Sequence, residues 1–488
     1  MLSKIIDYLV EQYEGKDTLP FTADDAKVSA NKEGMIGQVL SGIMYKIFRR
    51  YNDTLAVFVD GRYHVLMHED VPRLVYGWMM KVGVGPAYLA RSVSGITKMI
   101  LNNPYLRKLN ARRDVVYMRN CVLLISPDGG VAQVGFDPKY ESLIHFDFDY
   151  EPTAECPNWE RFLNTVIEDV KAVRVMQEFL GCIFIDKDVL SIEKALFLYG
   201  TGSNGKSVVF ETINKMMGGN MVSIGLSQVN GNTGDYFTAE MVGKLLAYNS
   251  DAEAKDISSG KYKQLISKER TMVRRIRESP FESDDWPMFM ANINKGLITT
   301  DSSDGFWRRN IVIGFNKTFS DNPDPRLGQL KADKSFKYSI LGETSGIFNW
   351  ILEGRKRIIE QKGVFTRSKS IDLVLEDMRS HSTSVYSFLR DNGYSATQPQ
   401  TGKYEFKRVH SKDLYKEYCD WCAENGYRDL KNINRFRDDM MNEKITWSRC
   451  VRVGAKVSSG FMFYYQDKIY QEPGEGDELW DDYDDLPY

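Results

Sequence analysis

Phe197 to Phe210 reads FLYGTGSNGKSVVF, with Gly200, Gly205, Lys206 and Ser207 at the spacing GxxxxGK[ST]. Residue types in this order do phosphate chemistry. A short apolar strand ending at Tyr199 delivers a glycine-rich turn, and Lys206-Ser207 open an apolar-periodic helix. Backbone N–H groups of Gly200, Thr201, Gly202, Ser203, Asn204 and Gly205, with the helix N-terminus behind them, then face a polyphosphate. Lys206 is expected to reach the β and γ phosphates and Ser207 to ligate Mg²⁺. The expected cofactors are therefore ATP and Mg²⁺.

Hydrolysis needs acids, a sensor and a cation. GKLLAYNSDAEA (243–254) offers a strand at Leu245 to Tyr248, with Asp251 and Glu253 just beyond it. Asp251 is placed to hold Mg²⁺ and Glu253 to polarise the attacking water; two solvated loop acids is the plainer alternative. WPMFMANINKG (286–296) reads as an apolar strand carrying Asn292 at its end, where an amide would sense the γ-phosphate or make a turn. DSSDGFWRRNIVIGF (301–315) sets Arg308 and Arg309 between a loop and a strand. A guanidinium there can stabilise the transferring phosphoryl, although paired arginines alone are more often surface charge.

The elements that must position these groups alternate strand and helix from about 190 to 355, the pattern of an α/β nucleotide-binding core. The expected organisation is an α+β N-terminal region at 1–130, a helical collar at 131–189 and the ATPase at 190–358. A charged, linker-like stretch near 360–372, a small C-terminal module at 373–470 and a disordered acidic tail at 471–488 complete it.

The chain has 488 residues, 42% apolar and 27% charged, as expected for a soluble protein of several domains. No apolar run is long enough to span a bilayer, so no membrane partner and a cytoplasmic location are expected. The formal charge of −3 hides an asymmetry: the tail QEPGEGDELWDDYDDLPY carries eight carboxylates and no Lys or Arg, leaving +5 for the rest. That tail, ending DDYDDLPY, is similar to the acidic tip of bacterial single-stranded-DNA-binding proteins, which implies a replication partner; a solubilising tail is the alternative. Cys419 and Cys422 form a CxxC with no second half, and read as two cysteines of one helix without metal. In IHFDFDY (144–150), His145, Asp147 and Asp149 suggest a two-metal site, which the lack of any accompanying primase-sized domain argues against.

Phosphate loop, acidic strand end, strand-terminal Asn and Arg-Arg, in that order, resemble a superfamily 3 helicase. More narrowly, they resemble the helicase module of the phage, plasmid and poxvirus primase–helicase group. Ser250-Asp251-Ala252-Glu253 stands where the family has Ser-Glu-x-Glu, and GFWRRN and GIFNWILEG are similar to later family segments. CPNWERFL and QEFLGCIF resemble the domain before the ATPase, and LYKEYCDWCAENG the module after it. The resemblance implies an AAA+-like core with a winged-helix-like C-terminal module. It further implies a homo-oligomeric, usually hexameric ring that moves 3′→5′ on single-stranded DNA at a fork. Arg308 or Arg309 would serve the neighbouring subunit's ATP. GKYKQLISKERTMVRRIRESPFES (260–283) occupies the position of the family's DNA-gripping hairpin, with Lys268, Arg274, Arg275 and Arg277 as candidate contacts. No aromatic is interleaved with these cations, which favours backbone tracking over base stacking. A DNA-remodelling or packaging ATPase and a nucleotide-gated origin-binding initiator are the competing expectations.

Overall fold

The computed structural model describes residues 1–13, 30–52, 54–83, 86–224, 226–229, 234–252, 259–276, 280–294, 304–324, 326, 329–333, 336–382, 384–398, 405–425 and 430–465. Glu253, Arg277 and the acidic tail lie outside the described residues. The chain is mixed α/β and divides into two compact units. One comprises Met1–Asp256, Gly260–Asn294 and Ile311–Ile371, the other Ile257–Ser259, Lys295–Asn310 and Asp372–Tyr488. Among the described residues no helix is long and apolar enough to cross a membrane.

The first unit opens with an antiparallel sheet of Phe48–Tyr51, Thr54–Val59 and Arg62–Val65. Asp60 and Gly61, both at positive φ, make its second turn, the backbone that a two-residue hairpin demands. The helix Asp70–Lys81 buries Val71, Leu74, Val75, Trp78 and Met79, the spacing of one helical face, in a core with Phe48 and Leu55. A second antiparallel sheet runs Val115–Tyr117, Val122–Ile125, Val131–Val134. Residue 130 therefore falls at the edge of a sheet strand instead of between domains. Val116, Leu123 and Ile125 share one core with Trp159, Phe179, Leu196 and Phe348.

Three helices frame the next layer: α1 (Pro157–Ile167), α2 (Val170–Gly181) and α3 (Lys206–Met217). Two more come later in the chain, α4 (Phe336–Leu341) and α5 (Thr344–Glu360). α2 and α5 cross on glycine: a Cβ on Gly354 would stand 2.1 Å from the Gln177 carbonyl oxygen, and one on Gly181 2.2 Å from the Arg355 nitrogen. The stretch after α5, expected as a linker, is fastened down at least to Ser370. Buried Glu178 accepts from the Thr366 N–H (2.9 Å) and Oγ1 (2.5 Å), and Asp169 accepts from Ser368 (2.7 Å) and Ser370 (2.6 Å). The uncharged hydroxyl residues of this charged, linker-like stretch are the ones that tie it down.

The site rests on a five-stranded sheet made of β1 (Ala195–Tyr199), β2 (Met221–Val222), β3 (Leu246–Ala252), β4 (Met288–Ile293) and β5 (Asn310–Gly314). Its order is β5-β1-β4-β3-β2, with β1, β4, β3 and β2 mutually parallel. Strands covered on both faces read as continuous apolar runs, and MFMANI is buried at every position. One sequence expectation changes here: the acidic strand is longer, so Asp251 lies within β3. Between β3 and the loop strand β1 stands β4.

The second unit holds the helices Ser384–Asp391, Ser411–Glu424 and Ile433–Asn442, and a sheet that includes Tyr394–Ser395 and Glu405–His410. It ends in the hairpin Thr446–Val453/Lys456–Tyr465. Phe388, Tyr418, Phe436, Phe461 and Phe463 form its core. Cys419 and Cys422 sit on one helix as expected, with Cys422 buried.

Candidate functional site

The loop after β1 has the backbone that phosphate binding requires. Gly202 (φ +118°), Ser203 (φ +47°) and Gly205 (φ +91°) take the left-handed side, turning successive N–H groups toward one concavity. Gly205 is also sterically fixed, since a Cβ there would lie 2.9 Å from Phe162 Cζ. The loop is pinned from both sides. Gly200 N–H donates to the Ile293 carbonyl at the end of β4 (3.2 Å), and Phe319 N–H to the Ser203 carbonyl (2.7 Å).

Lys206 is buried, and its Nζ donates to the Gly200 carbonyl (2.6 Å) and Asn204 Oδ1 (3.0 Å). Burial lowers the pKa of this ammonium, and Asp251 opposes the shift. An ammonium held on neutral acceptors in a desolvated place gains most from an arriving polyanion.

Asn292 is buried on β4, beside the loop. Its Nδ2 donates to the Lys206 carbonyl (3.4 Å), while its Oδ1 accepts from the Tyr248 hydroxyl (2.8 Å). Tyr248 is fully buried with its pKa raised by desolvation, and it packs edge-on to Phe210 of α3. This orienting tyrosine was missed in the sequence, where it looked like one more apolar strand residue. Asp251 is exposed at the mouth and accepts from Asn294 Nδ2 (3.2 Å). Ser207, Asp251 and Asn292 thus meet at one cavity with Gly202 to Lys206. The Ser207 hydroxyl and the Asp251 carboxylate, which both line this cavity, are oxygen donors of the kind a hard divalent cation takes.

The cavity is about 900 Å³, large enough for a whole nucleoside triphosphate, and its far wall was not legible in the sequence. Arg161, Phe162 and Thr165 of α1 face Lys331, Asp333 and the α4 residues Phe336, Lys337 and Tyr338. The Arg161 guanidinium stands 5.2 Å from the Phe336 ring centre, and Lys337 is ion-paired with Glu211. CPNWERFL carries an arginine-aromatic pair that signals this role only once α4 is known to lie opposite.

The candidate nucleic-acid segment does form a hairpin, Thr271–Val273 with Phe281–Ser283, in the register Thr271↔Ser283 to Val273↔Phe281. Arg274 lies over Tyr236 (5.9 Å) and Arg275 over Phe281 (5.0 Å). Rings do accompany the cations, one of them supplied from a distant helix, which linear inspection could not find. Lys268 is different. It sits before the hairpin, half-buried at φ +52°, and burial, then Arg113, lower its pKa to about 8. Arg308 and Arg309 belong to the second unit. Arg308 is exposed, and Arg309 donates to the Gly305 carbonyl (2.6 Å) at the end of a short helix.

The carboxylates of IHFDFDY are engaged elsewhere. Asp147 pairs with Arg62 (2.7 Å) and Asp149 with Arg119 (2.6 Å). Among the described residues no group of three or more His, Cys, Asp or Glu is placed to hold a metal ion.

Residues 198–309 match the model of a family of unknown function, DUF5906, a span running from the end of β1 to the arginine pair. No curated protein matches the sequence. The fold is similar to the apo structure of the NrS-1 C-terminal region (305–718), with TM-score 0.50 and 14% identity over 88% of this chain and 98% of that one. Two other apo forms of the same region give TM-scores of 0.49 at 15% identity and 0.48 at 14%, each covering 87% of this chain and 98% of theirs.

Proposed function

We propose that this chain is an ATP-driven replicative DNA helicase of the superfamily 3 type, encoded by a phage or another mobile element. Its core is AAA+-like, its C-terminal module winged-helix-like, and its working form a homo-oligomeric ring, hexameric by the family's habit. One strand of a fork passes through the ring in the 3′→5′ sense. The observation that carries this reading is the insertion of β4 between the loop strand and the acidic strand. It puts Asn292, oriented by Tyr248, where it contacts the Lys206 carbonyl and faces the cavity together with Asp251.

The residues divide the work as follows. The Gly202–Gly205 backbone cradles the phosphates, and Lys206 exchanges its two neutral acceptors for phosphate oxygen, neutralising charge that grows in the transition state. Asn292, held by Tyr248, reports whether the γ-phosphate is present and transmits this to the loop through the Lys206 carbonyl. Ser207 and Asp251 would hold Mg²⁺, which when bound neutralises the phosphate oxygens. Glu253 orients the attacking water, and Arg308 or Arg309 of an adjacent copy completes the site, so turnover requires assembly. Arg274 and Arg275 contact the backbone of the threaded strand.

The test is a mixing experiment. Lys206→Ala chains and Arg308→Ala/Arg309→Ala chains should each lose about 10³-fold or more of ATP turnover, and mixing them should restore part of it. Wild-type protein should displace a labelled strand from a forked duplex. A fully active single subunit would overturn the ring. ATP turnover on DNA without displacement would favour a remodelling or packaging ATPase. Replication that survives Glu253→Gln would favour an origin-binding initiator.

A further inference from the structure

Asp284-Asp285-Trp286-Pro287 joins the return strand of the Thr271–Ser283 hairpin to β4. A short polar link between two strands would ordinarily be a slack joint. This one is held from several directions. Asp284 is ion-paired with Lys187 and stands 3.5 Å from Arg270, at the start of the hairpin's outgoing strand. The Asp285 carbonyl accepts from the Gly243 N–H (3.2 Å). Trp286 is fully buried and donates its Nε1 to the Glu269 carbonyl (2.8 Å). At the centre is Arg113, a buried residue of the turn before the second antiparallel sheet. Its Nε donates to Asp285 Oδ1 (3.1 Å), its Nη1 to the Ile183 carbonyl (3.5 Å), and its Nη2 to the carbonyls of Lys244 and Trp286 (3.3 Å each).

Lys244 leads into β3 and Trp286 into β4. One guanidinium therefore staples the roots of the two strands that carry Asp251 and Asn292 at their other ends, and it does so from outside the parallel sheet. Stability alone does not call for such a group, because the desolvation penalty of a buried ion pair can match its Coulombic gain. What arginine adds is geometry: a rigid planar fork of donors fixes several chain segments in one relation. β4 is paired on both sides and buried at every position, so a shift at one end is carried to the other. We propose that Arg113 is a positioning residue that locks the root of the Thr271–Ser283 hairpin to β3 and β4, so that movement at Asn292 is delivered to the hairpin. What the hairpin holds, a single DNA strand, rests on the helicase reading; the lock rests on the contacts above. The second antiparallel sheet thereby serves as the frame against which the hairpin is held.

The experiment compares full-length wild type, R113Q, R113K and D285N in ATP turnover without DNA, turnover with saturating single-stranded DNA, and single-strand binding by fluorescence anisotropy. R113Q should keep DNA-free turnover and single-strand affinity within about 2-fold of wild type, while stimulation of turnover by DNA falls about 10-fold. R113K keeps the charge beside Asp285, but one ammonium does not span the three segments, so it should behave as R113Q does. D285N retains an acceptor at Oδ1 and should lose only about 3-fold of the stimulation. If R113Q does not fold, D285N carries the test by the same criterion. DNA-free turnover that falls in step with the stimulation would make Arg113 a structural prop and overturn the proposal, as would unaltered stimulation. Wild-type protein whose turnover ignores DNA would sink the helicase reading and leave the lock to be judged by hydrogen exchange. An ATP analogue should then alter exchange at residues 271–283 in wild type and not in R113Q or D285N; an equal response in all three, or none in any, overturns the lock.

Discussion

The two ends of the cavity are built on different principles. At the phosphate end the working groups are backbone N–H dipoles and side chains almost closed to solvent: Asn204 and Asn292 are each 3% exposed, Lys206 5%. At the far end the surfaces are side-chain faces, some widely open, Tyr338 being 71% exposed. A triphosphate demands fixed dipoles in a dry place, which tolerates few sequences. A base or sugar demands only a flat apolar or cationic face, which many residues can present. The first end should therefore fail abruptly under mutation, and the second should weaken by degrees.

Lys206→Met tests the abrupt end and should have the largest effect. Turnover should drop by about 10³-fold or more, because the loop loses the ammonium held in its interior by the Gly200 carbonyl and Asn204. Thermal stability should hold or rise, since burial already penalises the charged form of Lys206. A variant that loses activity and melts early would mean the lysine is a structural strut, and the contrast between the two ends would collapse. Tyr248→Phe comes next. Asn292 keeps its place but loses the donor on its Oδ1, and kcat should fall roughly 10-fold with KM little changed. An unchanged kcat would show that the amide needs no orientation. Arg161→Ala tests the gradual end. Removing the cation that lies over Phe336 should raise KM for nucleotide about 5-fold and leave kcat alone, as expected for ~1 kcal/mol of uniform binding. A collapse of kcat instead would make the far wall part of the chemistry.

The same contrast explains what the sequence disclosed. A phosphate loop must be contiguous, because its N–H groups point together only if consecutive residues turn together; hence Gly200 to Ser207 could be read directly. The cation-bearing hairpin was legible as well, from the place of residues 260–283 in the order of segments that the helicase resemblance follows. The far wall was not, because Phe162 and Phe336 come from helices separated by the whole sheet in sequence. Nor was strand order. Alternating strand and helix fixes an α/β class, yet nothing in Leu246–Ala252 or Met288–Ile293 says which lies beside β1. Tyr199 and Phe315 are hydrogen-bonded neighbours for the same reason: the pairing is set by packing across long separations. The fastening at Glu178 and Asp169 escaped notice because its acceptors and its donors, Thr366, Ser368 and Ser370, are each unremarkable alone.

A second desolvated lysine sharpens the comparison with the smallest effect. Lys268, like Lys206, is pulled from water, but its surroundings include Arg113, which repels it, and no phosphate cradle. Its folded pKa of about 8 lies below the ordinary lysine value of 10.5, so between these values the unfolded chain binds a proton that the folded chain does not. Stability contributed by this group must then rise with pH through that window, and the full cost is felt below about pH 8. Lys268→Met should stabilise the protein at pH 7 by about 1–2 kcal/mol, the figure being discounted for partial solvent access. The advantage should shrink toward zero by about pH 10. Urea unfolding of both proteins at pH 7 and pH 9.5 measures it. If the variant is weaker at pH 7, Lys268 has a compensating partner, and desolvation alone does not distinguish a waiting lysine from a wasted one. If it is stronger, and single-strand affinity also holds, the lysine is neither loop nor hairpin in function, and the costly burial of Lys206 stands out as the one with a ligand to answer for it.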